Sequence, residues 1–207
     1  MIITFEGIEG SGKSTQINKF EAALKKNKID FISLREPGGT VLSEELRHIL
    51  LNRDINISPM SELFLFEASR SELVDKIILP ALKKNKIILI DRFIDSTVVY
   101  QGYGRGISVR IINYLNKLAV KSITIDRTYL LDAPVELLEE RNSKKIKDRI
   151  EREDAMFHKR IREGFLKIAH KNKDRILKIN ALLDEEEIHR IILNDFLKLY
   201  GQKYTSR

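Results

Sequence analysis

The chain has 207 residues, 43% of them apolar and 32% charged, with no cysteine and a net charge of +7. That length fits one domain with a sizeable core, and the lack of cysteine excludes disulfides, Cys-ligated zinc and thiol catalysis. The opening MIITFEGIEG has no signal-peptide character, and no run reaches the roughly eighteen apolar residues of a membrane span, so a cytoplasmic location without a membrane partner is expected.

The chain alternates strand and helix patterns. Ile2-Ile3-Thr4-Phe5 is a short β-rich run that stops at Gly7. From Lys13 to Lys26 the apolar residues Ile17, Phe20 and Leu24 recur at helical spacing. Ile29 to Leu34 reads as a second strand, ended by Pro37-Gly38-Gly39. Leu42, Leu46, Ile49 and Leu50 mark a helix, and Ser58-Pro59 opens another that runs to about Leu82. Lys86 to Asp91 is an unbroken apolar strand closed by an acid, as in a parallel sheet buried on both faces. Thr128 to Asp132 and Arg175 to Ile179 are the fourth and fifth strands, and Ala133-Pro134 starts a helix between them. After Asp184 a final helix carries Ile188, Ile191, Ile192 and Phe196 on its inner face. The expected fold is therefore α/β, a five-stranded parallel sheet flanked by helices, with ligands at the carboxyl ends of the strands.

Gly7-Ile8-Glu9-Gly10-Ser11-Gly12-Lys13-Ser14 fits the phosphate-cradling pattern GxxxxGK[ST] and sits between a strand and a helix, as that pattern requires. Glycines let successive N–H groups turn toward phosphate oxygens, and the helix adds its positive end. Lys13 is placed to reach the β- and γ-phosphates of an NTP, and the Ser14 hydroxyl to hold Mg²⁺. The expected fold is thus the P-loop NTPase fold. The nearest string to the base-reading NKxD of GTPases, Asn116-Lys117-Leu118-Ala119, lacks the Asp. The compact length favours a small-molecule kinase.

The other strand ends carry the remaining candidates. Asp91 can hold Mg²⁺, and the adjacent Arg92 is either one half of a strand-end ion pair or an anion contact. Arg35, in Arg35-Glu36-Pro37-Gly38-Gly39, lies at the same sheet edge, where two guanidinium groups would fork onto a phosphate. Phe66 and Arg70 share one helix face; by pattern alone Phe66 is more often a core residue than a stacking platform. Residues 141–162 hold nine Lys or Arg against four acids, a net +5. By pattern this is a solvated helical face; with acids mixed in and no aromatics interleaved, no nucleic-acid partner is expected. The four histidines, His48, His158, His170 and His189, read as surface or packing residues.

Taken in order, five strings resemble the thymidylate kinase (dTMP kinase) family over nearly the whole chain. They are Phe5 to Thr15, Arg35-Glu36-Pro37-Gly38-Gly39-Thr40, Phe66 with Arg70, Asp91-Arg92-Phe93 with Ser96, and Tyr100-Gln101-Gly102. Arg149 in Asp148-Arg149-Ile150-Glu151 matches the family's lid. The resemblance implies one kinase domain over 1–207 with a lid at about 141–153, transferring the γ-phosphoryl of ATP to dTMP with Mg²⁺, and a homodimer. Phe66 would stack on thymine, Arg70 contact its O4, and Thr97 reach the base edge. Tyr100 would crowd the ribose 2′-position and Glu9 accept from the 3′-hydroxyl. Arg35 and Arg92 would grip the monophosphate. Pro37, Arg47, Ser96 and Gln101 would complete the acceptor pocket. Thr15, Arg141, Asn180 and Ala181 would join the P-loop around ATP. Gly10 stands where some relatives carry a P-loop arginine, so the catalytic cation is expected from the lid: Arg149 first, with Arg141 and Arg152 as alternatives. Leu63, Phe64 and Leu65 are expected on the dimer face. Rival readings are another nucleoside monophosphate or deoxynucleoside kinase, or a nucleotide-binding protein without catalysis.

Overall fold

The computed structural model describes residues 1–142 and 146–204; Lys144 and Lys145 of the basic stretch lie outside them. Five parallel strands form one sheet: β1 (Ile2–Glu6), β2 (Phe31–Arg35), β3 (Ile87–Asp91), β4 (Arg127–Asp132) and β5 (Ile176–Asn180), in the order β2-β3-β1-β4-β5. The central strands are buried on both faces, which is why Ile2-Ile3-Thr4-Phe5 and Ile87-Ile88-Leu89-Ile90 are nearly continuous apolar runs. The register sets Phe5 beside Asp91 and Arg35 beside Asp91, so the carboxyl ends of β1, β2 and β3 open on the same edge.

The helices cover both faces. On one side α1 (Lys13–Lys26) and α9 (Glu185–Tyr204) pack together, and Phe20 meets Phe196 edge-on with ring centres 4.9 Å apart. The second strand and the last begin one or two residues later than the sequence pattern places them. The single helix expected from Pro59 to about Leu82 is instead α3 (Pro59–Leu73), a π-helical stretch Val74–Ile78, and α4 (Leu79–Lys83). Pro80 explains the widening: it has no N–H to donate, and its ring crowds the carbonyl one turn earlier.

One helical region, between β3 and β4, carries no expectation from the sequence. After β3 come α5 (Ile94–Thr97), a π-helical stretch Val98–Gly104, and α6 (Val109–Val120). The basic stretch, expected as a solvated helical face, contains α8 (Ala155–Lys171), which follows α7 (Val135–Arg141) and the turn at 149–152 and is capped by Asp154 accepting from the Phe157 N–H at 2.6 Å. Phe157, Ile161, Phe165 and Ile168 bury one face of α8, so the basic face is only its solvent side. α2 (Val41–Leu51) completes the rim, capped by the Thr40 hydroxyl accepting from the Ser43 N–H.

Candidate active site

The loop after β1 closes the donor end. Gly7 has φ 141°, and a Cβ there would lie 2.4 Å from the Leu131 carbonyl of β4, so only glycine lets the loop turn back over the sheet. Gly12, with φ 88°, leads into α1 without a side-chain cap. Lys13 folds back and donates from Nζ to the carbonyls of Gly7 at 3.0 Å and Ile8 at 3.1 Å. Burial, with Arg92 nearby, pulls its pKa down to about 8. The hydroxyl of Ser11 is buried without a partner, whereas Ser14 and Thr15 are exposed on the first turn of α1. A side chain at Gly10 would start 2.3 Å from the Asn142 amide and 3.0 Å from the Leu138 carbonyl, so the C-terminal end of α7 already fills that space.

A cleft of ≈ 170 Å³ runs from this loop toward α3. At the loop end Arg92, with φ 64°, donates to Glu9 at 2.9 Å and lies 5.3 Å from the centre of the Tyr100 ring. The turn that carries Arg92 is held by Glu6 at the end of β1. Its carboxylate accepts from the N–H groups of Phe93 (2.8 Å) and Ser96 (3.3 Å) and from the Ser96 hydroxyl (2.6 Å), so a strand residue caps α5. Burial, with Asp95 adding to it, pushes Glu6 up to about 7. Phe66, Arg70, Thr97 and Gln101 line the same cleft, as do Pro37 and Arg47. Arg47 donates to the Pro37 carbonyl at 2.9 Å. Arg70 is buried between Glu36 and Glu67, donating to them at 2.6–3.0 Å.

Most sequence candidates for the acceptor side thus meet in one cleft: Glu9, Pro37, Arg47, Phe66, Arg70, Arg92, Ser96, Thr97, Tyr100 and Gln101. Arg35 does not join them. Its side chain is 58% exposed and pairs with Glu44 at 3.0 Å, while Arg47 takes the inward position. Asp91 ends β3 with Oδ1 buried and unpartnered. On the donor side, Arg141 donates to the Ala181 carbonyl at 3.2 Å, and Ala181 in turn donates to the Asp132 carbonyl beside Asn180 at the end of β5.

Arg149 is not at the phosphate cradle. Its guanidinium donates to Glu62 at 2.6 Å and to the Leu50 carbonyl at 2.9 Å, while its neighbours Asp148, Ile150 and Glu151 line the cleft. Glu62 also takes Arg105 at 3.1 and 3.2 Å and Gln101 at 2.9 Å, and these donors hold its carboxyl below the usual range despite burial. Leu63 is fully buried, so it belongs to the core and not to a partner-facing surface. Phe64 is the exposed member of that trio and Leu65 is half-buried.

Glu36, Leu51, Phe93, Asp148, Glu151 and His158 line the cleft without having been singled out as site residues. His158 is buried against Phe157, which fits packing, but it is also wall to both the acceptor cleft and the smaller one under the lid. The helical stripe of Phe157, Ile161 and Phe165 in the sequence was the available signal for it.

The thymidylate kinase family model matches residues 5–192. A thymidylate kinase of Kosmotoga olearia is 44% identical over 95% of both chains, and one of a Sulfurihydrogenibium species is 47% identical over 93% of this chain and 94% of the relative. The crystal structure of thymidylate kinase from Ehrlichia chaffeensis superposes with a TM-score of 0.77 at 37% identity, over 95% of this chain and 98% of that one.

Proposed function

The chain belongs to the thymidylate kinase family and acts as an ATP-dependent dTMP kinase; on that premise we propose which of its side chains carry ATP + dTMP → ADP + dTDP. The observation that carries the proposal is the single cleft linking Phe66 and Arg70 at one end to Glu9, Arg92 and the P-loop at the other. Phe66 stacks on thymine, Arg70 donates to a base carbonyl, and Thr97 faces the base edge. Tyr100 fills the space where a ribose would carry its 2′-hydroxyl, and Glu9 accepts from the 3′-hydroxyl. Arg92 and Arg47 hold the monophosphate, with Arg35 at the outer rim.

The attacking group is a phosphate oxygen whose second pKa is about 6, so no general base is required. The demand is alignment of two anions and neutralisation of charge on the moving phosphoryl group. Lys13 releases the Gly7 and Ile8 carbonyls and donates to the phosphates, and Arg92 bridges acceptor and donor. Arg149 supplies the lid cation by leaving Glu62 on closure. Arg105 and Gln101 stay on Glu62, so its carboxylate is not stranded when Arg149 moves. Gly7 to Thr15, Arg141, Asn180 and Ala181 enclose ATP. The Ser14 hydroxyl and the unpartnered Oδ1 of Asp91 are hard oxygen donors of the kind that would suit Mg²⁺. When bound there, Mg²⁺ neutralises charge on the β- and γ-phosphates.

The same proposal includes one kinase domain over 1–207, a cytoplasmic location and a homodimer. No helix among the described residues is long and apolar enough to cross a membrane. Support for the dimer comes from Phe64 on α3 and from Ile111, Tyr114 and Leu118, which share one face of α6 and are each 45–63% exposed.

A coupled assay of ADP release tests the function. ADP should appear only with dTMP present, and dTMP should outrun dCMP, GMP and thymidine. ATP binding without acceptor-dependent turnover would favour the non-catalytic reading.

A further inference from the structure

Arg70 lies inside a cage of acceptors. A guanidinium has five N–H hydrogens. Nε and Nη2 of Arg70 both donate to Glu36 Oε2, at 2.9 and 2.6 Å. Nη1 donates to Glu67 Oε1 at 3.0 Å and to Asn116 Oδ1 at 2.7 Å. These bonds commit four hydrogens and leave one, on Nη2. All four residues are buried, and Phe93 covers the guanidinium with its ring centre 5.3 Å away. Glu36 shares the cleft wall with Arg70, whereas Glu67 and Asn116 stand behind it.

A bare buried guanidinium presents a planar, charged fork, which is the geometry that captures phosphate. The substrate carries both a phosphate and neutral base carbonyls, so an uncaged Arg70 would attract the wrong end. Two carboxylates outweigh the single guanidinium charge, and the one free N–H suits a single carbonyl oxygen. We propose that Glu36, backed by Glu67, is a specificity residue that makes the Arg70 end of the cleft accept the base and refuse phosphate, so the nucleotide enters in one orientation. The inference rests on Arg70 reading the base and adds how its selectivity arises.

The test is inhibition by inorganic phosphate, competitive with dTMP, in the full-length protein at about pH 8. Burial, opposed by Arg70, pushes Glu36 up to about 7, so that pH keeps it ionised. Glu36→Gln and Glu67→Gln each remove one negative charge while keeping an acceptor for Arg70. Each should lower the phosphate inhibition constant at least about tenfold, and the double variant should lower it further. Adding Arg70→Ala should abolish the gain, which a general loosening of the fold would not do. Arg70→Ala alone should raise the KM for dTMP. If it does, and neither Gln variant gains phosphate inhibition, the cage proposal is overturned while the base-reading role stands. If Arg70→Ala leaves the KM for dTMP unchanged, the base-reading role itself fails. Should Glu36→Gln not fold, Glu67→Gln, which leaves the cleft wall intact, decides alone.

Discussion

The two ends of the cleft are built differently. At the base end the polar groups are already fixed: Arg70 by Glu36, Glu67 and Asn116, and Gln101 by Glu62. At the lid end the cations are held by a single carbonyl, as in Arg141, or by partners unrelated to phosphate, as in Arg149 on Glu62. The difference follows from what each end must do. Recognition of a base by one hydrogen bond and one stacking face needs donors that do not move. Charge on a transferring phosphoryl group exists only once ATP is bound, so its cations gain from arriving with a closing segment that excludes water.

The sharpest break in that comparison is Lys13→Ala. Lys13 belongs to the donor end yet is fixed before ATP arrives, by the Gly7 and Ile8 carbonyls. Turnover should fall at least about a thousandfold with the fold intact, because the phosphates lose their positioned cation. Activity within about threefold of the parent would put the phosphate cradle elsewhere.

Next in size is the lid. Arg149→Ala should lower kcat at least about a hundredfold, below the roughly 10³–10⁵ that arginine fingers contribute elsewhere because the tie to Glu62 must be broken first. The KM for dTMP should move little. Lys at that position should rescue poorly, since a point charge does not fork across two oxygens. Steady-state kinetics of Arg141→Ala, Arg149→Ala and Arg152→Ala side by side decide the assignment: the largest kcat loss marks the lid cation.

Tyr100→Ala probes the fixed end. The ratio of kcat/KM for dTMP over ribothymidine monophosphate should fall about tenfold, as a filled pocket opens to one extra hydroxyl. An unchanged ratio assigns the 2′-position to another residue.

The smallest effect is on stability. Glu6 titrates near pH 7 in the folded chain because burial raises it from its ordinary value of 4.5. Folding is therefore favoured by the protonated form. That contribution is complete below about pH 4.5 and is lost as pH rises through about 7. In denaturant titrations, the stability of the parent relative to Glu6→Gln should decline across that window. A difference that is flat or rises with pH would mean the carboxylate is ionised at its hook on Phe93 and Ser96.

How much of this was legible in the sequence follows the same divide. The strands were readable because a doubly buried strand has no polar face, and the P-loop because its glycines and lysine are fixed by phosphate geometry. The exposed Lys159 and Arg160 make α8 read as a solvated helical face, while the buried stripe of Phe157, Ile161 and Phe165 makes its other side core. Leu63 and Phe64 are adjacent and equally apolar, so composition could not separate core from surface; the helical phase does. Arg35 and Arg47 exchanged places for a similar reason: a residue's distance from a strand end does not tell which way its side chain turns. The cage around Arg70 joins residues up to 46 positions apart, Arg70 with Asn116, which no local pattern reveals.

The central claim is that the acceptor end is complete before the lid closes. Titrating dTMP calorimetrically into the protein without any ATP tests it most directly. Binding should be saturable, nearly unaffected by Arg149→Ala and weakened at least about tenfold by Arg70→Ala, the usual scale for losing a charged donor. Binding that appears only when a non-hydrolysable ATP analogue is present, or that Arg149→Ala abolishes, would contradict the account.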